Sequence, residues 1–224
     1  MSIEQIDNAI PLGFEIHNLG HSALRRCSEE IDVSEIGGEI YCHFLSAMQE
    51  TLKTANVVGL AAPQVGVNLR LFITELSSNL ECRYHGYTPS AQRVWINPKY
   101  SVIDDRQLGG VEGCLSVPGY VGYVMRPTSI MVWALDGNGN EVNDTLYGWN
   151  ARVFLHEYDH LDGIVYVDKI VENVTGQKEF YEKTMWQFME EERRKAGDVE
   201  WLEQFSLKVE GKQTEIDIQP ILTA

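Results

Sequence analysis

Two histidines four residues apart, with a glutamate directly after the first, stand in the run His156-Glu157-Tyr158-Asp159-His160. On a helix, residues four apart share a face, so His156 and His160 can hold one metal ion from a rigid support. Glu157 can then sit beside a metal-activated water as its base. A site of this kind performs hydrolysis, because a divalent metal makes hydroxide available near neutral pH. Catalytic metal sites usually have three protein ligands and keep one position open. A third ligand must therefore come from elsewhere in the chain.

Cys114 is the candidate. It lies among glycines in Gly109-Gly110-Val111-Glu112-Gly113-Cys114-Leu115-Ser116-Val117-Pro118-Gly119-Tyr120, on a bend where a thiolate can turn toward a cleft. A lone cysteine is more often a small buried hydrophobe; as a ligand it would complete a Cys-His-His set. A second stretch of interest is Val57-Val58-Gly59-Leu60-Ala61-Ala62-Pro63-Gln64. Its small residues let a backbone approach a ligand closely, and Gln64 needs a hydrogen-bond partner, protein or substrate. A tight turn before a strand accounts for these residues equally well. His17 and His21 are also four apart, but Gly20 lies between them and no helical period surrounds them, so a surface or capping role is expected. Cys42 and His43 fall to core packing or a helix flank, and Cys82 and His85 to a polar surface loop over 77–92.

The elements that must position these groups follow from periodicity. Ile36, Ile40, Phe44, Met48 and Leu52 recur every four residues, which predicts a helix capped by Ser34 and running to about Thr54, with Gly37-Gly38 weakening its first turn. Strands are predicted over 69–76, 93–97 and 129–135. Asp136-Gly137-Asn138-Gly139-Asn140 is a hairpin turn into a returning strand, Val142 to Tyr147. Asn150 is the expected N-cap of the helix with the two histidines, and Gly163 its end. Val153, His156 and His160 share one face of that helix; Phe154, Tyr158 and Leu161 share another. A short strand is expected over 164–167 and a charged helix over 177–195.

The chain has 224 residues, 44% of them hydrophobic, enough for one substantial core. One metallohydrolase domain is expected over 1–196, with 197–224 as an extension of unknown role. The 33 acidic residues against 18 basic give a formal charge of −15, which argues against nucleic acid or an anionic membrane as partner. No signal peptide and no apolar run of membrane-spanning length stand in the sequence, and the four cysteines lack paired spacing. A cytoplasmic, reduced and monomeric protein is expected.

Three stretches together resemble the peptide deformylase family: Gly59-Leu60-Ala61-Ala62-Pro63-Gln64, Glu112-Gly113-Cys114-Leu115-Ser116 and His156-Glu157-Tyr158-Asp159-His160. The run Leu19-Gly20-His21-Ser22-Ala23-Leu24-Arg25 is similar to the family's amino-terminal entry, so the resemblance covers roughly Ile16 to Val171. It implies an α+β fold, mixed strands packed around a central helix that carries the metal motif. It implies removal of the N-formyl group from the initiator methionine of new polypeptides. It implies Cys114, His156 and His160 as ligands to one divalent metal, usually Fe2+, with Zn2+ or Ni2+ as substitutes. The metal, the Gln64 amide and the Leu115 backbone N–H would stabilise the oxyanion, and Glu157 would carry the proton. Val58, Gly59, Gly113, Trp149 and Val153 would line the methionine pocket. The implied partners are a formyl-methionyl peptide and, transiently, the ribosome.

The chain departs from the family pattern at three places. Val57 stands where the first motif usually begins with Gly, Leu155 where a Gln often precedes the first His, and Val121 where many members have a basic side chain near the substrate. A β-branched residue cannot readily take up backbone angles open to Gly, so Val57 is expected to shift the pocket rim. These departures bring in a second reading, an amidase acting on another N-acylated peptide or amine. A third is a metal-bearing or ribosome-associated binding protein without turnover, against which Glu157 and Gln64 argue. A generic His-Glu-x-x-His protease would need a downstream His or Glu ligand, and no His follows His160.

Overall fold

The computed structural model describes residues 13–76, 88–172, 178, 180–183, 187 and 191. Its strands are β1 (Gly59–Ala61), β2 (Leu71–Leu76), β3 (Ser90–Gly113), β4 (Val121–Leu135), β5 (Glu141–Tyr147) and β6 (Phe180–Tyr181). They form one sheet in the order β1-β2-β3-β4-β5, with β6 added against β4. All these pairings are antiparallel, and an isolated parallel bridge joins Glu29 to Leu69. The helices α1 (Glu39–Ala55) and α2 (Gly148–Leu161) complete an α+β architecture among the described residues.

The sheet is organised by the long β3–β4 hairpin. Its register runs from Ile96↔Leu135 to Gly113↔Val121, with shifts near Ile96/Lys99, Val102/Asp104 and Asp104/Gln107. Such bulges bend a strand and increase its twist, which a strand of this length needs in order to wrap a core. The hairpin closes through residues 114–120, so the bend that carries Cys114 is held at both ends by a ladder. The β4–β5 hairpin turns at Asp136–Asn140 as the sequence predicts. The Asp136 carboxylate accepts the backbone N–H groups of Asn138 and Asn140 at 2.8 and 2.9 Å.

The helices pack on opposite faces of the sheet, because alternate residues of β1, β2 and β3 point to opposite sides. Tyr41, Phe44, Met48 and Leu52 of α1 join Leu60, Leu71, Ile73 and Ile96 in one cluster. Phe154, Leu155 and Leu161 of α2 join Phe72, Trp95, Ile130 and Val132 in another. There Phe154 meets Phe72 and Trp95 edge-on, at centroid distances of 5.1 and 5.0 Å.

Several expected boundaries move. α1 begins at Glu39, not at Ser34: Asp32 caps a 3-10 turn over Val33–Glu35, and Gly37 at φ +85° breaks the path between them. Asn150 is not the cap of α2, which starts at Gly148 directly after β5. The predicted 93–97 strand is part of β3, which starts at Ser90 and continues to Gly113, so the 77–92 loop ends earlier; Cys82 and His85 lie outside the described residues. Residues 164–167 are no strand, and Tyr166–Asp168 forms a 3-10 turn whose Asp168 accepts the Val165 N–H at 2.9 Å. The charged helix predicted from 177 cannot begin there, because Phe180–Tyr181 pairs with β4, while Gln187 and Glu191 are helical. The rest of that helix and residues 197–224 lie outside the described residues. Cys42 and His43 sit on the exposed flank of α1. His21 caps the 3-10 helix Ser22–Arg25 and stacks on His17, consistent with a capping role. Among the described residues no helix is long and apolar enough to cross a membrane.

Candidate active site

Three elements deliver the predicted groups to one place. α2 presents His156, Glu157 and His160; the bend after β3 presents Cys114; the 3-10 helix Ala62–Val65 after β1 presents Gln64. One ligand atom from each of Cys114, His156 and His160 lies within 4.8 Å of the other two. The Cys114 Sγ stands 3.3 Å from His160 Nε2, and the two imidazoles cross at 83°. His156 Nδ1 is held by Glu112 Oε2 at 2.9 Å, which leaves Nε2 to face inward. A thiolate and two neutral imidazoles at this spacing suit a four-coordinate divalent ion with one position open. The residues present therefore fit a resident metal.

Gln64 is buried, and its orientation is fixed. Its Oε1 accepts the Ala61 backbone N–H at 2.8 Å, so its amide NH2 must point the other way. There Nε2 lies 3.3 Å from Cys114 Sγ and 3.4 Å from Ser116 Oγ. Glu157 is buried and its Oε2 has no hydrogen-bond partner, a costly state for a carboxylate with no task. Burial pushes its carboxyl up to about 7; Glu112 and Asp159 add to the rise and His156 opposes it. Gly59 makes room for it, since a Cβ at that position would stand 2.3 Å from Glu157 Oε1.

A cavity of about 370 Å3 opens over these groups. Val58, Gly59, Gly113, Leu115, Trp149 and Val153 all line it, as do Gln64, Cys114, His156 and Glu157. His160 lies behind them and is fully buried. Val58, Val153 and Trp149 pack around Leu76 as an apolar wall.

The three departures fare differently. Leu155 and Val121 do not line the cavity: Leu155 is in the core under α2, and Val121 is buried in β4 between Gly113 and Tyr181. Val57 does line it, but no positive φ is required of it; Asn56 takes the left-handed angle, φ 52°. Its side chain packs against the α1 core. The expected shift of the rim therefore has no backbone cause.

Residues 14–175 match the family model described as polypeptide deformylase. The chain belongs to the polypeptide deformylase family. It is 39% identical over 153 residues to peptide deformylase 3 of Streptomyces avermitilis, covering 67% of this chain and 68% of that protein. It is 38% identical over 156 residues to the peptide deformylase of Leptospira biflexa, covering 70% and 87%. Among solved structures, it resembles the Met-Ala-Ser-bound class I type b peptide deformylase from Acinetobacter baumannii at 31% identity and TM-score 0.67, covering 70% of this chain and 98% of that one. It also resembles the Synechococcus elongatus peptide deformylase in complex with actinonin, at 34% identity and TM-score 0.63, covering 74% and 82%.

In this deformylase-family chain, sequence reasoning missed the groups behind the ligands. Glu112 is held by Arg126 through two parallel bonds of 2.9 and 2.8 Å, and by Arg152 at 2.7 Å. Arg126 reaches on to Asp159 at 2.6 Å, and Lys169 meets the other oxygen of Asp159 at 2.6 Å. Burial alone would raise the Glu112 carboxyl; Arg126, His156 and Arg152 outweigh it and hold it well below the usual carboxylate range. Glu112 was visible in its motif, but only as a flank of Cys114. Arg126 carries no sequence signal. Arg152 and Asp159 did carry one, since helical spacing puts Arg152 one turn before His156 and Asp159 beside His160.

Proposed function

We infer that this protein is a working deformylase: a hydrolase that removes the N-formyl group from the N-terminal methionine of newly made polypeptides. His156 and His160, from a central helix, α2, against which the strands pack, and Cys114, from the bend after β3, hold one divalent ion, Fe2+ in the first instance. When bound, that ion polarises the formyl group and lowers the pKa of a water. Glu157 takes the water's proton and passes it to the departing amine. The Gln64 NH2 and the Leu115 backbone N–H donate to the oxygen that gains charge, an effect of a few kcal/mol per donor, roughly 3–4 where one has been removed. Val58, Gly59, Gly113, Trp149 and Val153 receive the methionine side chain. The catalytic domain spans 1–196, acts as a monomer in the cytoplasm, and meets the ribosome transiently.

One observation carries this reading. Two groups with no need of each other in a storage or scaffold protein, an unpartnered buried carboxylate and an amide fixed toward the sulfur, meet at the same three-ligand cluster. The amidase reading loses two of its three supports, since Leu155 and Val121 do not line the cavity. The test compares cleavage of formyl-Met-Ala-Ser with its acetylated analogue by the metal-loaded protein. Strong preference for the formyl peptide is expected; equal turnover, or preference for the acetyl peptide, would overturn the assignment.

A further inference from the structure

Arg152 is buried, lines the cavity, and takes no part in holding the metal or moving the proton. A buried guanidinium of that kind must be compensated. Its Nη1 donates to Glu112 Oε1 at 2.7 Å and to the Val124 carbonyl at 3.1 Å, and its Nη2 donates to the Leu108 carbonyl at 2.6 Å. These bonds tie α2 to β3 and β4 at once. Arg126 already grips both oxygens of Glu112 from β4, and it reaches α2 only through another carboxylate, Asp159, at 2.6 Å. Arg152 comes from the helix that carries His156, one turn before it. It therefore fixes the carboxylate with respect to the imidazole that the same carboxylate holds, through His156 Nδ1 to Glu112 Oε2 at 2.9 Å. β3 is bare where the guanidinium crosses: a Cβ on Gly110 would stand 2.9 Å from Arg152 Cζ.

We propose that Arg152 is a positioning residue for the metal centre, locking Glu112 so that His156 keeps its orientation and presents Nε2 to the ion. The proposal rests on the metal site inferred above. A carboxylate clamped from both sides holds its imidazole N–H in one direction, and partners of this outer kind change metal affinity by about 10–100-fold when removed. A purely structural ion pair would hold the helix to the sheet and leave the metal untouched.

The two roles separate in the rate at which a chelator strips nickel from the loaded protein, measured beside the thermal midpoint and the visible spectrum of the cobalt form. Arg152→Met should lose nickel roughly tenfold faster or more, with an altered cobalt spectrum. Arg152→Lys should fall between Arg152→Met and the natural protein, because an ammonium can reach Glu112 but cannot also fork to two carbonyls. Gly110→Ala should shift the rate the same way while leaving every charge in place. Nickel loss within about twofold of the natural protein in all variants that fold, whatever their thermal midpoints, would overturn the proposal. Should Arg152→Met fail to fold, Arg152→Lys and Gly110→Ala decide by the same criterion. Failure of the natural protein to cleave formyl-Met-Ala-Ser would count against the deformylase reading, and the nickel readout does not depend on it.

Discussion

Both faces of α2 carry buried side chains, yet they are built on different rules. On one, Phe154, Leu155 and Leu161 press into Phe72, Trp95, Ile130 and Val132, and what matters is volume. On the other, Arg152, Glu157, Asp159 and His160 are buried and His156 is half-buried among Glu112, Arg126 and Cys114, and what matters is partner count and direction. An apolar face relaxes around a lost methyl group. A buried ion pair does not relax around a lost partner, because the remaining charge stays in a medium that solvates it poorly. The candidate catalytic groups sit on the second face, where Glu157 keeps a buried oxygen with no hydrogen-bond partner.

The largest break in this contrast comes from Glu112→Ala. It strands the guanidinium groups of Arg126 and Arg152 and frees the His156 ring. A loss of about 3–5 kcal/mol in denaturant unfolding is expected, together with weakened metal binding. Retention of both would show that the charged face tolerates loss as the apolar face does. Gly59→Ala acts next. Its added Cβ would stand 2.3 Å from Glu157 Oε1, so the carboxylate must move. A displacement of about 1 Å can cost on the order of 10²-fold in kcat, and metal content should stay at one ion per chain. The smallest effect belongs to the apolar face. Ile130→Val, opposite α2, should cost about 0.5–1.5 kcal/mol in unfolding free energy and leave kcat and metal content alone. A change in metal content there would mean the two faces are not independent.

The same division explains what was legible in the chain. Phe154, Tyr158 and Leu161 declare their face by spacing, and the turn Asp136–Asn140 declares itself by composition, because both are local patterns. Cys114, Gln64 and the two histidines were legible as chemistry, and all converge. The clamp on Glu112 was not, because it joins residues of β3, β4 and α2 that are distant in sequence. Local patterning also misplaced the start of α1, where Ser34 falls inside a separate 3-10 turn capped by Asp32 and the helix begins after Gly38, and missed that β3 continues to Gly113 through polar, exposed residues that pair only because β4 lies beside them. Val57 misled for the opposite reason. The angle that would demand a glycine belongs to Asn56, one residue earlier.

In the proposed mechanism an unpartnered, buried Glu157 does the proton work beside a metal it does not hold. Glu157→Ala tests it most directly, by elemental analysis and steady-state cleavage of formyl-Met-Ala-Ser on the same preparation. One metal per chain is expected, as in the natural protein, with kcat lower by about 10²–10⁴-fold. A variant with its metal in place and kcat near that of the natural protein would contradict it.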